Sequence, residues 1–293
     1  MKILLVGGNG FIGRNLKEYL SNKDEYQIDA PSHKEMDGIE EQSVFRVLSE
    51  TYYDVVIHAA VYNPRVGVEK DAEKELEYDL RLFYNFYKYR NMYGRMFYFG
   101  SGAEFDKRYD IQSAKEVEIN RLIPVTEYGF AKYIINEQIK ASDNIYNLRV
   151  FGLFGKYENW AKTFISGNIC RAMKGLPITI RQNVYFDFLY VDDFCAIIER
   201  LLNTDVKNRE INVVTGQRID LVSIAKLIQE VVNPKVGIFV CKSGEGLEYT
   251  ASNERLIQEI GKVEYLPMKD SIKKLYEYYR RKEEEIDIMS LLY

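Results

Sequence analysis

Short apolar runs alternate with longer amphipathic stretches through the first half of the chain. The apolar runs predict buried strands at residues 2–6, 26–30, 54–58, 95–99 and 145–150. The amphipathic stretches predict helices at residues 11–22, 40–51, 70–93 and 128–142. This alternation is typical of an α/β fold, in which a doubly wound parallel sheet carries helices on both faces. Such a sheet binds its ligands at the carboxyl ends of the strands.

The pattern becomes less regular after about residue 150. It predicts helices at residues 160–174, 193–203, 220–232 and 270–285, and a strand at 178–180. We therefore expect a sheet domain over residues 1–150 and a smaller lobe that is formed mainly by residues 151–293. Some segments of the second half are expected to return to the sheet domain.

A glycine-rich turn joins the first predicted strand to the first predicted helix. Gly7 permits a tight turn, Gly10 lets the backbone approach a pyrophosphate, and Gly13 lets helix and strand pack closely. The amides and the dipole at the start of the helix favour a negatively charged group. This arrangement predicts a Rossmann domain that binds a dinucleotide cofactor. The residues expected at that site are Gly7, Asn9, Gly10, Phe11, Ile12, Gly13 and Arg14.

The composition argues against several classes of protein. The chain has 293 residues and a net charge of −4, which argues against a nucleic-acid partner. It has no apolar stretch long enough for a membrane span and no signal-peptide pattern, so we expect a cytoplasmic protein. The three cysteines lie far apart, and neither a disulfide framework nor a metal site is expected.

A tyrosine and a lysine four residues apart form a second candidate site. Tyr128 and Lys132 lie on one face of a predicted helix, where the ammonium group is expected to lower the phenol pKa from its usual value of about 10. The same spacing occurs five times in the chain, so the spacing alone is not specific. Ser101 follows a predicted strand, and its hydroxyl can hydrogen-bond a substrate oxygen. This serine is the reason for preferring Tyr128 and Lys132 over the other pairs with the same spacing. The three side chains predict proton transfer to or from an oxygen beside a nicotinamide.

The order of these motifs resembles that of the extended short-chain dehydrogenase/reductases over nearly the whole chain. The motifs are the glycine turn, residues 54–60, Ser101, the pair Tyr128 and Lys132, residues 148–155 and residues 186–193. The resemblance implies action on nucleotide-linked sugars, with residues 151–293 mainly forming the substrate-binding lobe. It implies that Ser101, Tyr128 and Lys132 are catalytic and that Tyr128 and Lys132 also contact the cofactor.

The resemblance further implies that His58, Ala59 and Ala60 line the cofactor. Taken by itself, His58 is better explained as a core histidine at the end of a strand. The resemblance also implies a homodimer, in which the helices at 70–93 and 128–142 pair with those of a second subunit. An aromatic stripe at the first of these helices suits either an interface or a core, and it consists of Phe83, Tyr84, Phe86, Tyr87 and Tyr89.

Departures from the family pattern reduce the number of possible reaction types. Dehydratases of the family carry an Asp-Glu pair directly after the catalytic hydroxyl residue, whereas this chain has Gly102 and Ala103. Epimerase-reductases similar to GDP-fucose synthase carry a cysteine where this chain has Ala103, and they use a later histidine. The histidines here, His33 and His58, both lie in the cofactor half. A 4-ketoreductase and a 4-epimerase remain.

The segment after the second predicted strand favours NADP(H), although NAD(H) remains possible. Pro31 stands where an acidic residue usually binds the adenosine ribose, and Ser32 and Lys34, with Arg14, can hold a 2′-phosphate. We therefore expect NADPH-dependent reduction of the 4-keto group of a nucleotide-linked (6-deoxy)sugar, in deoxysugar biosynthesis for surface polysaccharide. The alternative is a nucleotide-sugar 4-epimerase with tightly bound NAD.

The substrate contacts follow the family less closely. Gly152 replaces a sugar-binding asparagine, and Phe186 replaces an arginine. The residues expected at the substrate are Ser101, Gly102, Ala103, Lys156 and Arg181, with Arg171 as a further diphosphate candidate and Tyr157 and Asn159 as sugar candidates.

Overall fold

The computed structural model describes residues 1–62 and 72–291. Its strands are β1 (Lys2–Val6), β2 (Gln27–Asp29), β3 (Tyr53–His58), β4 (Tyr93–Ser101), β5 (Ile111–Ala114), β6 (Ile145–Val150), β7 (Gly152–Phe154), β8 (Ile178–Asn183), β9 (Tyr185–Phe186), β10 (Phe188–Tyr190), β11 (Glu210–Val213), β12 (Ile219–Asp220), β13 (Ile238–Glu245) and β14 (Tyr249–Ala251). Its α-helices are α1 (Phe11–Ser21), α2 (Glu41–Glu50), α3 (Ala72–Lys88), α4 (Glu127–Lys140), α5 (Phe164–Met173), α6 (Val191–Leu202), α7 (Leu221–Val232), α8 (Glu254–Ile260) and α9 (Met268–Arg280).

A six-stranded parallel sheet forms the centre of the molecule, in the order β11-β6-β4-β3-β1-β2. The predicted doubly wound α/β fold is confirmed. The strand order reverses at β1, which pairs with β2 on one side and β3 on the other, and a crevice opens at such a reversal. The carboxyl ends of β1, β3 and β4 therefore meet where a ligand is expected to bind.

Alternating side chains of β1 enter two different cores. Ile3 and Leu5 pack on one face of the sheet with Leu16 of α1, and Leu4 and Val6 pack on the other. The second core also contains apolar side chains of α2, α3 and α4. Because successive strand residues point to opposite faces, a continuous apolar run is what a sheet covered on both sides requires.

The second half of the chain adds smaller sheets and one strand of the central sheet. Strand β11 pairs with β6, and no strand was predicted at its position. Strand β5, from the first half of the chain, pairs instead with β14 from the second. The two halves therefore exchange one strand each. Among the described residues, no helix combines the length and apolar character needed to cross a bilayer.

Several predicted boundaries were wrong. The helix predicted at 70–93 ends at Lys88, because a 3₁₀ turn at Arg90–Met92 leads directly into β4. Residues 70 and 71, where the predicted helix starts, lie outside the described residues. The helix predicted at 270–285 ends at Arg280. The strand predicted at 178–180 extends to Asn183 because it pairs with β13, an exposed strand that was not predicted.

Candidate active site

The glycine turn between β1 and α1 is closely packed on one side and open on the other. Gly7 has a positive φ of 84°, and a Cβ atom there would lie 2.7 Å from the backbone nitrogen of Ala60. A Cβ atom at Gly13 would lie 2.1 Å from the Gly7 carbonyl oxygen. At Gly10 a Cβ atom would meet only that same oxygen, at 3.4 Å.

Gly10 is also the N-cap of α1, and it has no side chain to bind the amides of the first turn. Asn9 and Arg14 are exposed beside this turn, whereas Phe11 and Ile12 pack partly against the core. An open glycine backbone at an uncapped helix start fits the pyrophosphate of a dinucleotide.

His58, at the end of β3, lies in the core. Its side chain is 1% exposed, its Nε2 atom is 3.2 Å from the carbonyl oxygen of Leu82, and its ring packs against Phe86 and Tyr98. Burial lowers the pKa of His58 to about 4, so the imidazole is neutral at physiological pH. Ala59 and Ala60 are half-buried and lie against the glycine turn.

Helix α4 brings Tyr128 and Lys132 to the end of β4. Thr126 caps this helix by accepting a hydrogen bond of 3.1 Å from the backbone nitrogen of Gly129. The Lys132 ammonium lies 5.6 Å from the centre of the Tyr128 ring, and the hydroxyl of Ser101 hydrogen-bonds that of Tyr128. The structure thus brings together the three side chains that the sequence singled out.

The charges at this site differ from the sequence expectation. Burial raises the pKa of Tyr128 to about 12, although the hydrogen bond from Ser101 acts in the opposite direction. The prediction of a lowered tyrosine pKa was wrong, because burial outweighs the effect of neighbouring groups. Burial also lowers the pKa of Lys132 to about 8. Tyr128 is therefore protonated at neutral pH and can act as a proton donor.

A buried ion pair behind Ser101 was not predicted from the sequence. Glu104 accepts a hydrogen bond of 2.9 Å from the Ser101 backbone nitrogen, and the Arg149 Nε donates to the same carboxylate at 2.7 Å. Both charged side chains are fully buried, and Arg149 also bonds Glu210 of β11. The Ser-x-x-Glu spacing of a capping box was the available signal for Glu104. This ion pair fixes the turn that presents Ser101.

Two of the three predicted 2′-phosphate contacts, Ser32 and Arg14, are held by other groups. The backbone nitrogen and the hydroxyl of Ser32 donate to the Glu35 carboxylate at 2.7 and 2.8 Å. The Arg14 guanidinium stacks on the Tyr157 ring at 4.9 Å. Lys34 is exposed. The structure therefore places an acidic side chain within the predicted phosphate site.

The substrate candidates separate into two groups. Gly102 and Ala103 are buried directly after Ser101, and a Cβ atom at Gly129 would lie 2.6 Å from the Ala103 carbonyl oxygen. These residues are beside the catalytic candidates.

The second group is engaged elsewhere or exposed. Glu18 of α1 accepts hydrogen bonds from the Lys156 ammonium at 2.7 Å and the Tyr157 hydroxyl at 2.9 Å. Arg171 donates to the carbonyl oxygens of Pro177 and Leu291. Arg181 is exposed on β8, and Asn159 is exposed in the loop before α5.

Comparison with known proteins identifies the family. The sequence model of the NAD dependent epimerase/dehydratase family matches residues 3–214. A GDP-6-deoxy-D-talose 4-dehydrogenase from Aggregatibacter actinomycetemcomitans is 27% identical over 253 residues, which cover 79% of this chain and 80% of that protein. A GDP-L-colitose synthase from Yersinia pseudotuberculosis is 23% identical over 304 aligned positions, covering 95% and 98% of the two chains.

Solved structures share the fold. A GDP-mannoheptose C4 reductase from Campylobacter jejuni, with NADP bound, has a TM-score of 0.81 at 19% identity and covers 95% of this chain and 98% of that one. A UDP-glucose 4-epimerase from Thermotoga maritima has a TM-score of 0.80 at 18% identity and covers 96% and 99%. The chain belongs to the NAD-dependent epimerase/dehydratase family and is an NAD(P)-dependent oxidoreductase of the extended short-chain dehydrogenase/reductase type.

Proposed function

We propose that this protein reduces the 4-keto group of a nucleotide-linked 6-deoxysugar with NADPH, in deoxysugar biosynthesis for surface polysaccharide. The observation that carries the proposal is the group formed by Ser101, Tyr128 and Lys132, in which the Ser101 and Tyr128 hydroxyls are hydrogen-bonded and the Lys132 ammonium lies 5.6 Å from the centre of the Tyr128 ring. A protonated phenol next to a serine hydroxyl suits proton donation to a ketone oxygen, which is the direction that a reduction requires.

The names of the relatives support the chemistry and the nucleotide. Both curated relatives act on GDP-linked sugars by name, and one of them is a 4-dehydrogenase. The structural neighbour from Campylobacter jejuni is named as a C4 reductase. A GDP-linked 4-keto-6-deoxyhexose is therefore the first substrate to test.

Each side chain has a role in the proposed reaction. A nicotinamide cofactor held by the glycine turn between β1 and α1 would supply the hydride for the carbonyl carbon. Ser101 donates a hydrogen bond to the carbonyl oxygen, and Tyr128 transfers its hydroxyl proton to that oxygen. The positive charge of Lys132 stabilises the phenolate that this transfer leaves on Tyr128. The ketone thus becomes a secondary alcohol, and Tyr128 regains a proton from solvent.

We infer a preference for NADPH from the segment after β2. Asp29, the last residue of β2, lies 3.8 Å from the Lys2 ammonium and also interacts with Tyr53, so its carboxylate has partners other than a ribose. In this proposal Ser32 and Lys34 bind the 2′-phosphate after the Glu35 side chain has moved away from Ser32. Electrostatic repulsion by Glu35 is expected to weaken that binding.

We also propose that residues 151–293 mainly bind the substrate and that the protein is a homodimer. Helices α3 and α4 pack side by side. Phe83 and Phe86 of the aromatic stripe are buried within the subunit, whereas Tyr84, Tyr87 and Tyr89 remain partly exposed. These three tyrosines are the part of the stripe that is available to a second subunit, and the mass of the protein in solution tests this assignment.

The content of the purified protein tests the proposal against its alternative. The protein is denatured, any released nucleotide is identified by mass spectrometry, and unliganded protein is titrated with NADPH and NADH. A protein without bound nucleotide that prefers NADPH supports the reductase. NAD that stays bound through purification, with interconversion of sugar nucleotides in the absence of added reductant, would instead favour a 4-epimerase.

A further inference from the structure

We propose that Tyr249 is a positioning residue, whose hydroxyl group orients the Ser101 hydroxyl toward the substrate ketone. This inference rests on the proposed function, because it assigns Ser101 to a carbonyl oxygen. Tyr249 lies about 150 residues from Ser101 in the sequence, on a strand of the C-terminal half. It was not among the residues expected at the site.

Pairing and packing fix the position of the Tyr249 ring. Strand β14 pairs with β5 and β9, and places Tyr249 opposite Ile111 and Phe186. The ring lies 4.8 Å from the Phe151 ring and 5.7 Å from that of Phe186, and the residue is 8% exposed. A phenol held on these sides has little freedom to turn its hydroxyl elsewhere.

The glycine after Ser101 provides the space for this hydroxyl. A Cβ atom at Gly102 would lie 2.3 Å from the Tyr249 hydroxyl oxygen and 2.6 Å from the Phe151 ring. Gly102 does not have a positive φ, so its backbone conformation does not require glycine. The close approach of Tyr249 and Phe151 is therefore the reason for glycine at this position.

The hydrogen-bonding capacity of Ser101 gives Tyr249 its role. A serine hydroxyl accepts two hydrogen bonds and donates one. Its oxygen accepts one from the Ala103 backbone nitrogen at 3.1 Å, and the Tyr249 hydroxyl interacts with it as well. Burial raises the Tyr249 pKa, so this phenol keeps its proton and can donate. In this proposal the Tyr249 hydroxyl donates to the second acceptor position of the Ser101 oxygen, so that the Ser101 proton is directed to Tyr128 or to the ketone.

A double-mutant cycle of Tyr249→Phe and Ser101→Ala tests this role. In the wild-type background, Tyr249→Phe is expected to lower kcat/KM about tenfold, mainly through kcat, with unchanged NADPH affinity. In the Ser101→Ala background, the same change is expected to cost less than about twofold, because coupled residues are not additive. Equal losses in the two backgrounds, or wild-type activity of Tyr249→Phe, would overturn the inference.

Tyr185→Phe is the matched control. Tyr185 lies on β9 of the same small sheet, with its ring under the Arg218 guanidinium at 3.7 Å. This variant is expected to keep the wild-type kcat/KM. The melting temperatures of all variants show whether any loss reflects unfolding.

A crystal structure of the wild-type protein separates this inference from the proposed function. A wild-type protein that reduces no 4-keto sugar nucleotide defeats the proposed function. In that case the distance between the Tyr249 and Ser101 hydroxyl oxygens in the crystal structure still tests the role of Tyr249. A separation of about 3 Å supports the inference, and a Tyr249 ring turned away from Gly102 overturns it.

Discussion

The ammonium group of Lys132 donates a hydrogen bond of 2.7 Å to the hydroxyl oxygen of Tyr98, a buried residue of β4. It donates a second one, of 2.9 Å, to the carbonyl oxygen of Phe99. Lys132 is 1% exposed, and burial lowers its pKa to about 8. The cation beside Tyr128 is therefore held by the central strand of the sheet and titrates close to physiological pH.

Reduction is expected to slow as the pH rises through about 8. Lys132 is positively charged below its pKa of about 8 and neutral above it, whereas Tyr128 keeps its proton up to about pH 12. Loss of the lysine charge removes the group that stabilises the Tyr128 phenolate. The measurement is the pH dependence of kcat/KM for the wild-type protein and for Lys132→Met. The variant is expected to be slower with no such decrease, and a wild-type profile that is flat across this range would contradict the assignment.

Tyr98→Phe is expected to move that decrease to a lower pH. The substitution removes one acceptor from the buried ammonium, which disfavours the charged form of Lys132, while the aromatic ring stays in the core. A hydrogen bond worth about 1 kcal/mol corresponds to a shift of somewhat less than one pH unit. The pH profile of the variant tests this expectation, and a profile that coincides with that of the wild type would show that Tyr98 does not influence the charge of Lys132.

Local sequence patterns predicted five of the six strands of the central sheet, and they pointed to the catalytic candidates. The glycine turn and the pair Tyr128 and Lys132 each depend on residues within one turn or one helix. Strand β11 was missed because its alternating polar and apolar residues, Glu210–Val213, cover only four positions, which is too few to identify a strand. Its place in the sheet follows from its pairing with β6. The local sequence pattern contains no information about this pairing.

Contacts between distant residues account for the rest of what was missed. Glu104 and Arg149 are 45 positions apart, and the sequence does not show that they share a core. Tyr249 is one of 24 tyrosines, and only the pairing of β14 brings it to Gly102. The direction of the Tyr128 pKa shift depends on burial, which a spacing of four residues does not measure.

Glu35→Gln is expected to strengthen NADPH binding severalfold and to leave NADH binding unchanged. The Glu35 carboxylate accepts hydrogen bonds from the Ser32 backbone nitrogen and hydroxyl, and it would repel a 2′-phosphate at this position. Titration of both cofactors against wild type and variant provides the measurement. An equal change for the two cofactors, or none for NADPH, would place the 2′-phosphate away from this turn.

Glu104→Ala is expected to destabilise the protein by about 3–5 kcal/mol, because it leaves the buried Arg149 charge without its main partner. Urea unfolding gives the free energy of unfolding. The double variant Glu104→Leu, Arg149→Met is expected to lose less stability than the sum of the losses of Glu104→Leu and Arg149→Met measured separately. The reason is that the double variant removes both buried charges of this pair and leaves neither one unpaired. A loss below about 1 kcal/mol for Glu104→Ala would show that water or another group replaces the missing carboxylate.

The central claim is that Tyr128 transfers a proton during reduction of a 4-keto sugar nucleotide. The most direct test is to incubate wild type and Tyr128→Phe with NADPH and a GDP-linked 4-keto-6-deoxyhexose. The rate of NADPH oxidation and the structure of the product are then measured. We expect the wild type to form the 4-hydroxy product and the variant to be at least about a hundredfold slower, with the same affinity for NADPH. A variant that reduces the ketone at the wild-type rate would contradict the account.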